Sequence, residues 1–486
     1  MLKSAFSVSY SPPEFYCREI SMRFLIECTY VYEHPQDNSG IQRVVRNIVN
    51  NLGELAGDAE CVPVILKNDK VFRVRQLSPG PDGRWLSRSQ AWLSLTHDRL
   101  GRLRQRVWLA YARRERQWPL HHSPTLRFLA RLACRGLSFS LAVPQKMLAR
   151  VSLNYVDKTR AVEMTCQAGD VLVLLDSSWH ADFFPVAERL QREGVGIVSV
   201  IYDLIPLTHP QFCDEGLVRV FEQWFDWIAR TADGFIAISQ TISDQVRSEV
   251  QWRLGRDMAA QRWFDHFHLG SELDRAHPGA VVRHEVRRMC KSHPVYLMVS
   301  TIEPRKNHAY LLNAFERLWD EGADVALCFV GKIGWKTEKL IERVRQHAEL
   351  NKRLFMFNDL SDRELEYCYS HSRALVFPSY VEGFGLPLVE AMQRGLPAMA
   401  SDIPVFREIG GDSMAYFGLS EPESLCRLVR HFEESGKFPA QACLSQWSWL
   451  SWKDSAAQLV ARVRRHTGVP RSIERTAESD VRIDRL

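Results

Sequence analysis

The chain has 486 residues, 45% hydrophobic and 25% charged, which is ordinary for a folded protein and long enough that two domains are expected. Its eleven cysteines stand singly without a CxxC pair, which excludes a zinc ribbon or thioredoxin-like site and points to free thiols in a reducing compartment. The net charge of +5 is uneven: residues 99–150 hold twelve Lys/Arg against Glu115 alone, which is +11 and leaves −6 for the rest. No run approaches the roughly 20 apolar residues of a membrane span, and residues 1–21 lack the apolar core of a secretory signal. A cytoplasmic chain, soluble or peripheral at the membrane, is expected. Residues 1–21 are expected to be a disordered extension or an artefact of start-codon choice.

In chain order, 24–28 reads as a strand, and a loop then runs to Gly40. A helix follows over 41–55, with Ile41, Val44, Val45, Ile48, Val49 and Leu52 on one face. A strand at 62–66 precedes a long irregular, basic stretch, after which strands are expected at 171–175, 196–202 and 234–238, each followed by a helical pattern. Residues 251–293 are polar, Arg- and His-rich, and read as the interdomain linker. The second half repeats the scheme, with strands at 295–299, 325–330, 354–357, 374–377 and 397–400. Its helices are expected at 308–321, 336–350, 362–371 and 388–394. A last helix over 451–466 precedes a charged tail, 467–486, expected to be disordered. Strand–helix alternation of this kind implies an α/β fold with two doubly wound, Rossmann-like domains and a cleft between them. The expected bounds are 22–285 and 294–440, with 445–466 returning to the first domain.

Ligands of such folds bind beyond the carboxyl ends of the strands. Strand 295–299 is followed by Ser300-Thr301-Ile302-Glu303-Pro304-Arg305-Lys306-Asn307 and then a helix. Two adjacent cations before a helix N-terminus suit a diphosphate, although alone they read as an exposed cationic pair. Strand 374–377 is followed by Glu382-Gly383-Phe384-Gly385-Leu386-Pro387, with Glu390 one turn into the next helix. The two glycines let backbone approach a ligand closely, and Pro387 suits a first helical turn. Glu390 is placed to accept hydrogen bonds from a ribose diol and Glu382 from the hydroxyls of a hexose. Asp362 and Glu364 read as acids of a helix first turn.

These two runs together resemble glycosyltransferase family 4, retaining enzymes of the GT-B fold, whose two-glutamate motif spans the spacing from Glu382 to Glu390. The match is specific over about 295–417 and looser in the first half, at Ser39-Gly40 and at Tyr202-Asp203-Leu204-Ile205-Pro206 with His209-Pro210. The resemblance implies that Arg305 and Lys306 hold the diphosphate and Glu390 the ribose. Glu382 and the amides around Phe384, Gly385 and Leu386 would hold the transferred sugar, and Asn358, Asp359 and Leu360 would meet the base. Gly40, Ser300 and Gly383 join the donor side. Many relatives carry His where this chain has Tyr202, and tyrosine is a poor base at neutral pH. Asp203 is the candidate that positions the acceptor hydroxyl, with Tyr202 and His209 on the acceptor side; Asp203 also reads as a turn cap. No Asp-x-Asp motif occurs, so the cations are expected to replace a metal, and no cofactor is expected. The motifs look like those of bacterial polysaccharide-assembly mannosyltransferases. GDP-mannose is therefore the favoured donor, a UDP-sugar the near alternative, and a glycan or lipid-linked saccharide the acceptor.

The basic stretch mixes Arg with Trp, Leu and Phe. Contact with an anionic membrane and plain packing on the first domain stand level as readings, with nucleic acid well behind. A catalytically silent scaffold at the membrane surface and a sugar-nucleotide epimerase are the other function classes this fold leaves open. Trp447, Trp449 and Trp452 read as anchors of the last helix rather than as a sugar platform.

Overall fold

The computed structural model of the chain describes residues 22–35, 40–54, 60–78, 123–154, 156–180, 183–272 and 281–468, with a few single residues between 96 and 107. Two sheets form the frame. The first contains β1 (Arg23–Glu27), β2 (Glu60–Lys67), β3 (Lys70–Val74), β4 (Ala161–Met164), β5 (Val171–Leu174), β6 (Gly196–Ile201), β7 (Gly234–Ala237) and β8 (Trp263–His266), in the order β4-β3-β2-β1-β5-β6-β7-β8. Its β2–β3 and β3–β4 pairs are antiparallel, and the other pairs are parallel. The second contains β9 (Val295–Val299), β10 (Ala326–Val330), β11 (Leu354–Phe357), β12 (Ala374–Phe377), β13 (Ala398–Ser401) and β14 (Ala415–Phe417), all parallel, in the order β11-β10-β9-β12-β13-β14.

The central strands are apolar on both faces because helices cover both. In the second sheet, Tyr296, Met298, Leu327 and Phe329 face the helices α5 (His308–Asp320) and α6 (Glu338–Arg345), through Leu311, Phe315 and Val344. Leu297, Cys328, Leu375 and Phe377 face the opposite layer, α7 (Asp362–His371) and α8 (Leu386–Gln393). The direction of winding reverses between β9 and β12, and the crevice over their carboxyl ends is where ligands of doubly wound sheets bind. Helix α1 (Gly40–Asn51) packs its Val44, Val45 and Ile48 on the first sheet, and α2 (Pro124–Asn154) carries most of the described part of the basic insertion. Helix α3 (Gln240–Leu254) follows β7, with Ser239 capping it through Ile242 N.

The strand readings agree to within two residues at each end. Unforeseen are β3, β4, β8 and β14, all short, with at most two of their residues buried. Strand β8 shortens the linker expected over 251–293. Helix α4 (His284–Ser292) buries Val286 and Met289, and Arg283 just before it pairs with Glu364 of the second domain at 2.6 Å. Helix α9 (Pro404–Gly410) lies at the domain boundary. The last helix, α10 (Trp452–Thr467), returns to the first domain: His466 stacks on Trp263 and Ser455 Oγ donates to His268 O at 2.7 Å. Trp452 Nε1 donates to Glu272 O and Trp449 Nε1 to Leu269 O, so both indoles anchor that return. The expected disorder of 1–21 and 467–486 lies outside the described residues, apart from Thr467 in α10 and Gly468.

Candidate functional site

The turn after β9 and the loop after β12 meet over the crevice. Glu303, Arg305, Lys306 and Glu382 form one buried charge cluster there. Arg305 Nη1 donates to Glu382 Oε2 at 2.7 Å, Lys306 Nζ donates to Glu382 Oε1, and Arg305 Nε lies 2.6 Å from Glu303 Oε1. Tyr380 N donates to Arg305 O at 2.9 Å, which ties the two segments by backbone as well. Lys306 also sits 4.9 Å above the Phe377 ring.

Burial raises the cost of every charge in this cluster, and the neighbours decide each outcome. For Glu382, burial acts upward but Arg305 and Lys306 outweigh it and hold the carboxyl at about 2. Lys306 is pushed below its usual range by burial and then by Arg305, against the pull of Glu382. At Glu382 the two cations outweigh burial, whereas at Lys306 burial and Arg305 outweigh the carboxylates of Glu382 and Glu303. Glu303 and Asp203 are both raised, by burial first. The cluster therefore has its cations matched by carboxylates, and two of its acids are disposed to take up protons.

Asp203 Oδ1 accepts from Ile205 N at 3.0 Å, the turn-capping role, and its Cβ lies beside Gly383. Tyr202 is corrected: its hydroxyl donates to Leu175 O at 2.8 Å in the first domain's core and is not presented to an acceptor. Its carbonyl matters instead, because a Cβ on Gly383 would lie 2.1 Å from Tyr202 O. Gly383 thus serves the approach of one domain to the other, and Ser239 Oγ donates to Gly383 O at 3.1 Å across the same boundary. Gly385, at φ +112°, starts α8 where a Cβ would press on Phe406. Phe384 is buried near Trp449, and Leu386 is half-buried in the first turn of α8.

Glu390 is held at the domain boundary. Both its oxygens are engaged, one by Arg43 of α1 and the other by the Tyr369 hydroxyl at 2.8 Å, so no ribose diol meets it in this arrangement. Arg43, which sequence reasoning missed, also donates to Glu272 O at 3.0 Å. Its only sequence signal is its place three residues after Gly40, off the apolar stripe of the helix. Gly40 itself begins α1 with open space where a Cβ would be, so close approach does not explain it. The Ser300 hydroxyl lies 3.4 Å from His308 Nε2, on the α5 side of the turn. Asp359 pairs with Arg283 at 3.1 Å, Asn358 is exposed and Leu360 half-buried. Glu364 completes a capping box with Ser361, as a first-turn acid does. His209 is half-exposed at the rim, roughly parallel to Phe212, whose ring faces Tyr380 of the second domain at 5.5 Å.

Among the described residues, His266, His268 and Glu408 are the set whose ligand atoms are close enough to hold a metal. The Glu408 carboxylate is already occupied: it accepts from Gln240 N at 2.7 Å and Thr241 N at 2.9 Å, and His268 Nε2 lies at 2.8 Å. It caps α3 of the first domain from α9 of the second, which makes it part of the domain junction.

Residues 284–442 match the family Glycosyl transferases group 1. The Escherichia coli serotype-specific mannosyltransferase WbdA is 35% identical over 300 residues, which are 60% of this chain and 36% of WbdA. The chain thus spans little more than a third of the length of that relative. The Escherichia coli O-antigen chain mannosyltransferase B is 26% identical over 59% of this chain and 73% of its own length. A sucrose-phosphate synthase from Thermosynechococcus elongatus superposes with a TM-score of 0.52 at 15% identity, covering 92% of this chain and 99% of that one. Anabaena HepE, solved with UDP and glucose, gives 0.51 at 13% identity over 91% of this chain and all of its own. The carboxyl-terminal domain therefore carries a glycosyl transferases group 1 sequence, and the chain as a whole has the GT-B fold of two facing Rossmann-like domains.

Proposed function

We propose that the chain is a retaining hexosyltransferase of family 4, moving mannose from a nucleoside diphosphate sugar, GDP-mannose, to a glycan or lipid-linked acceptor in cytoplasmic polysaccharide assembly. The observation that carries this reading is the convergence of Arg305 and Lys306 on Glu382 at the β9/β12 switch point, beside the N-terminus of α8. The mannosyltransferase names of its relatives favour mannose.

The chemistry asks for charge stabilisation. As an acceptor hydroxyl oxygen bonds to the anomeric carbon, the bond from that carbon to phosphate oxygen breaks, its electrons pass to the diphosphate, and the hydroxyl proton passes to the departing phosphate oxygen. Arg305, Lys306 and the helix end stabilise that charge without a metal, a contribution commonly the largest in such reactions. Donor binding would turn the two cations from Glu382 to the diphosphate and free Glu382 for the sugar hydroxyls. Displacement of Arg43 would likewise free Glu390 for the ribose. Asp203, beside the Glu382 loop, takes the acceptor side.

Thermal unfolding with GDP-mannose, GDP, UDP-glucose, UDP and ADP-glucose tests the donor. A ligand at 100 times its dissociation constant stabilises by about 2.7 kcal/mol. A selective rise with the guanosine compounds is expected, a rise with uridine compounds alone would reassign the donor, and no rise with any would refute the reading.

The reading includes a membrane contact through α2. Leu126, Phe128, Leu129, Leu132 and Phe139 are exposed on this helix beside Arg131 and Arg135, whereas no helix among the described residues is long and apolar enough to cross a bilayer. Sedimentation with phosphatidylglycerol vesicles but not with phosphatidylcholine vesicles is expected, and equal recovery with both would remove this contact.

A further inference from the structure

Three side chains with metal-binding atoms meet where the first domain joins the second. His266 ends β8, His268 follows it two residues on, and Glu408 reaches them from α9 of the other domain. One ligand atom from each side chain lies within 4.8 Å of the other two. We infer that His266, His268 and Glu408 form a binding site for one divalent transition-metal ion of the zinc class, which would join the two domains.

The donor set selects the ion. Two imidazoles and one carboxylate are ligands that zinc takes, with a solvent molecule in the fourth position. Magnesium prefers a shell of oxygens in octahedral geometry, so the paired imidazoles disfavour it. In a tetrahedral site each ligand atom lies about 2.0 Å from the ion, which puts ligand atoms about 3.3 Å from one another. His268 Nε2 and Glu408 Oε1 stand at 2.8 Å, close to that spacing. His266, whose side chain is 23% exposed, can close the remaining gap by rotating about its side-chain bonds. All three side chains are partly exposed, so an ion can reach them from solvent.

The contacts that occupy Glu408 also prepare it for an ion. A carboxylate offers about four lone-pair sites. Three are met by α3: Oε1 accepts from Gln240 N at 2.7 Å, and Oε2 accepts from Thr241 N at 2.9 Å and Thr241 Oγ1 at 2.7 Å. The fourth faces His268 Nε2, where a metal ion replaces the imidazole hydrogen. Hydrogen bonds that fix a ligating carboxylate in this way are the usual outer layer of a metal site. The backbone of His268 is fixed as well: its N–H donates to Gln458 Oε1 at 3.2 Å and its carbonyl accepts from Ser455 Oγ at 2.7 Å, both on α10. The His268 ring lies 6.3 Å from that of Phe384, so the ion would sit one side chain away from the Glu382–Gly385 loop.

Calorimetric titration of the full chain, first freed of metal with a chelator, tests the site. Zinc chloride is the probe and magnesium chloride the control. One equivalent of zinc is expected to bind and to raise the melting temperature, and magnesium to do neither. His266→Ala removes one ligand while leaving the His268–Glu408 hydrogen bond and the cap of α3 in place. Its circular dichroism without metal should match that of wild type, its zinc affinity should fall at least tenfold, and zinc should no longer raise its melting temperature. Equal zinc binding by His266→Ala would mark an adventitious ion only. That result, no zinc binding by wild type, equal binding of magnesium, or a melting temperature indifferent to zinc would each overturn the inference. None of these outcomes depends on the donor nucleotide, so this inference and the proposed transferase activity fail separately.

Discussion

Glu382→Gln is a stringent test of the charge cluster. The glutamine keeps the shape of the side chain but removes the charge that faces both Arg305 and Lys306. Those cations lower the carboxyl from the ordinary 4.5 to about 2. At roughly 1.4 kcal/mol per tenfold change in proton affinity, the ionised form is favoured by about 3 kcal/mol. The variant, which resembles the protonated acid, should lose about that much stability at pH 7. For a carboxyl whose folded-state value is depressed, the contribution is present above the unfolded value of 4.5 and is lost as the pH falls through about 2. The difference between wild type and variant should therefore shrink below about pH 4.5. Urea unfolding at pH 7 and pH 4, followed through the transition of the carboxyl-terminal domain, measures both. Two cations released from a carboxylate should also gain affinity for a diphosphate, so GDP should raise the melting temperature of the variant more than that of wild type. A loss under about 1 kcal/mol, a difference that ignores pH, or a smaller GDP shift in the variant would refute the reasoning.

Arg43→Ala strips one oxygen of the buried Glu390 of its cation and should cost roughly 3 kcal/mol, read as a lower melting temperature; an unchanged midpoint would mean that the pair contributes nothing. Gly383→Ala places a methyl 2.1 Å from Tyr202 O. Small-angle scattering should show a larger radius of gyration while GDP binding survives, and superposable scattering curves would contradict the contact. Asp203 and Glu303 are already raised by burial, and an arriving diphosphate raises them further. Nucleotide binding should therefore take up protons and weaken as the pH rises. Calorimetry in two buffers of different ionisation enthalpy checks the sign, and proton release would exclude this account.

The sequence by itself determined the layered α/β frame. Strands 295–299, 354–357 and 374–377 are bounded in the structure as the apolar runs bound them, because a parallel strand covered on both faces must be apolar at every position. Arg305, Lys306 and Glu382 were legible for a related reason, since strand-end loops of such sheets are where charge and glycine have chemical use. Strands β3, β4 and β8 were not legible, being short segments near the sheet's edges with too few buried positions for a pattern to accumulate. Tertiary structure alone decided the partners. Arg43 and Glu390 are 347 positions apart, and Tyr202 reads as a site residue until its hydroxyl is found on Leu175 O. It also decided that Gly383 answers to the other domain's backbone. Periodicity records which face of an element is covered; which residue meets another across a domain boundary depends on rigid-body placement, and local pattern carries no term for that.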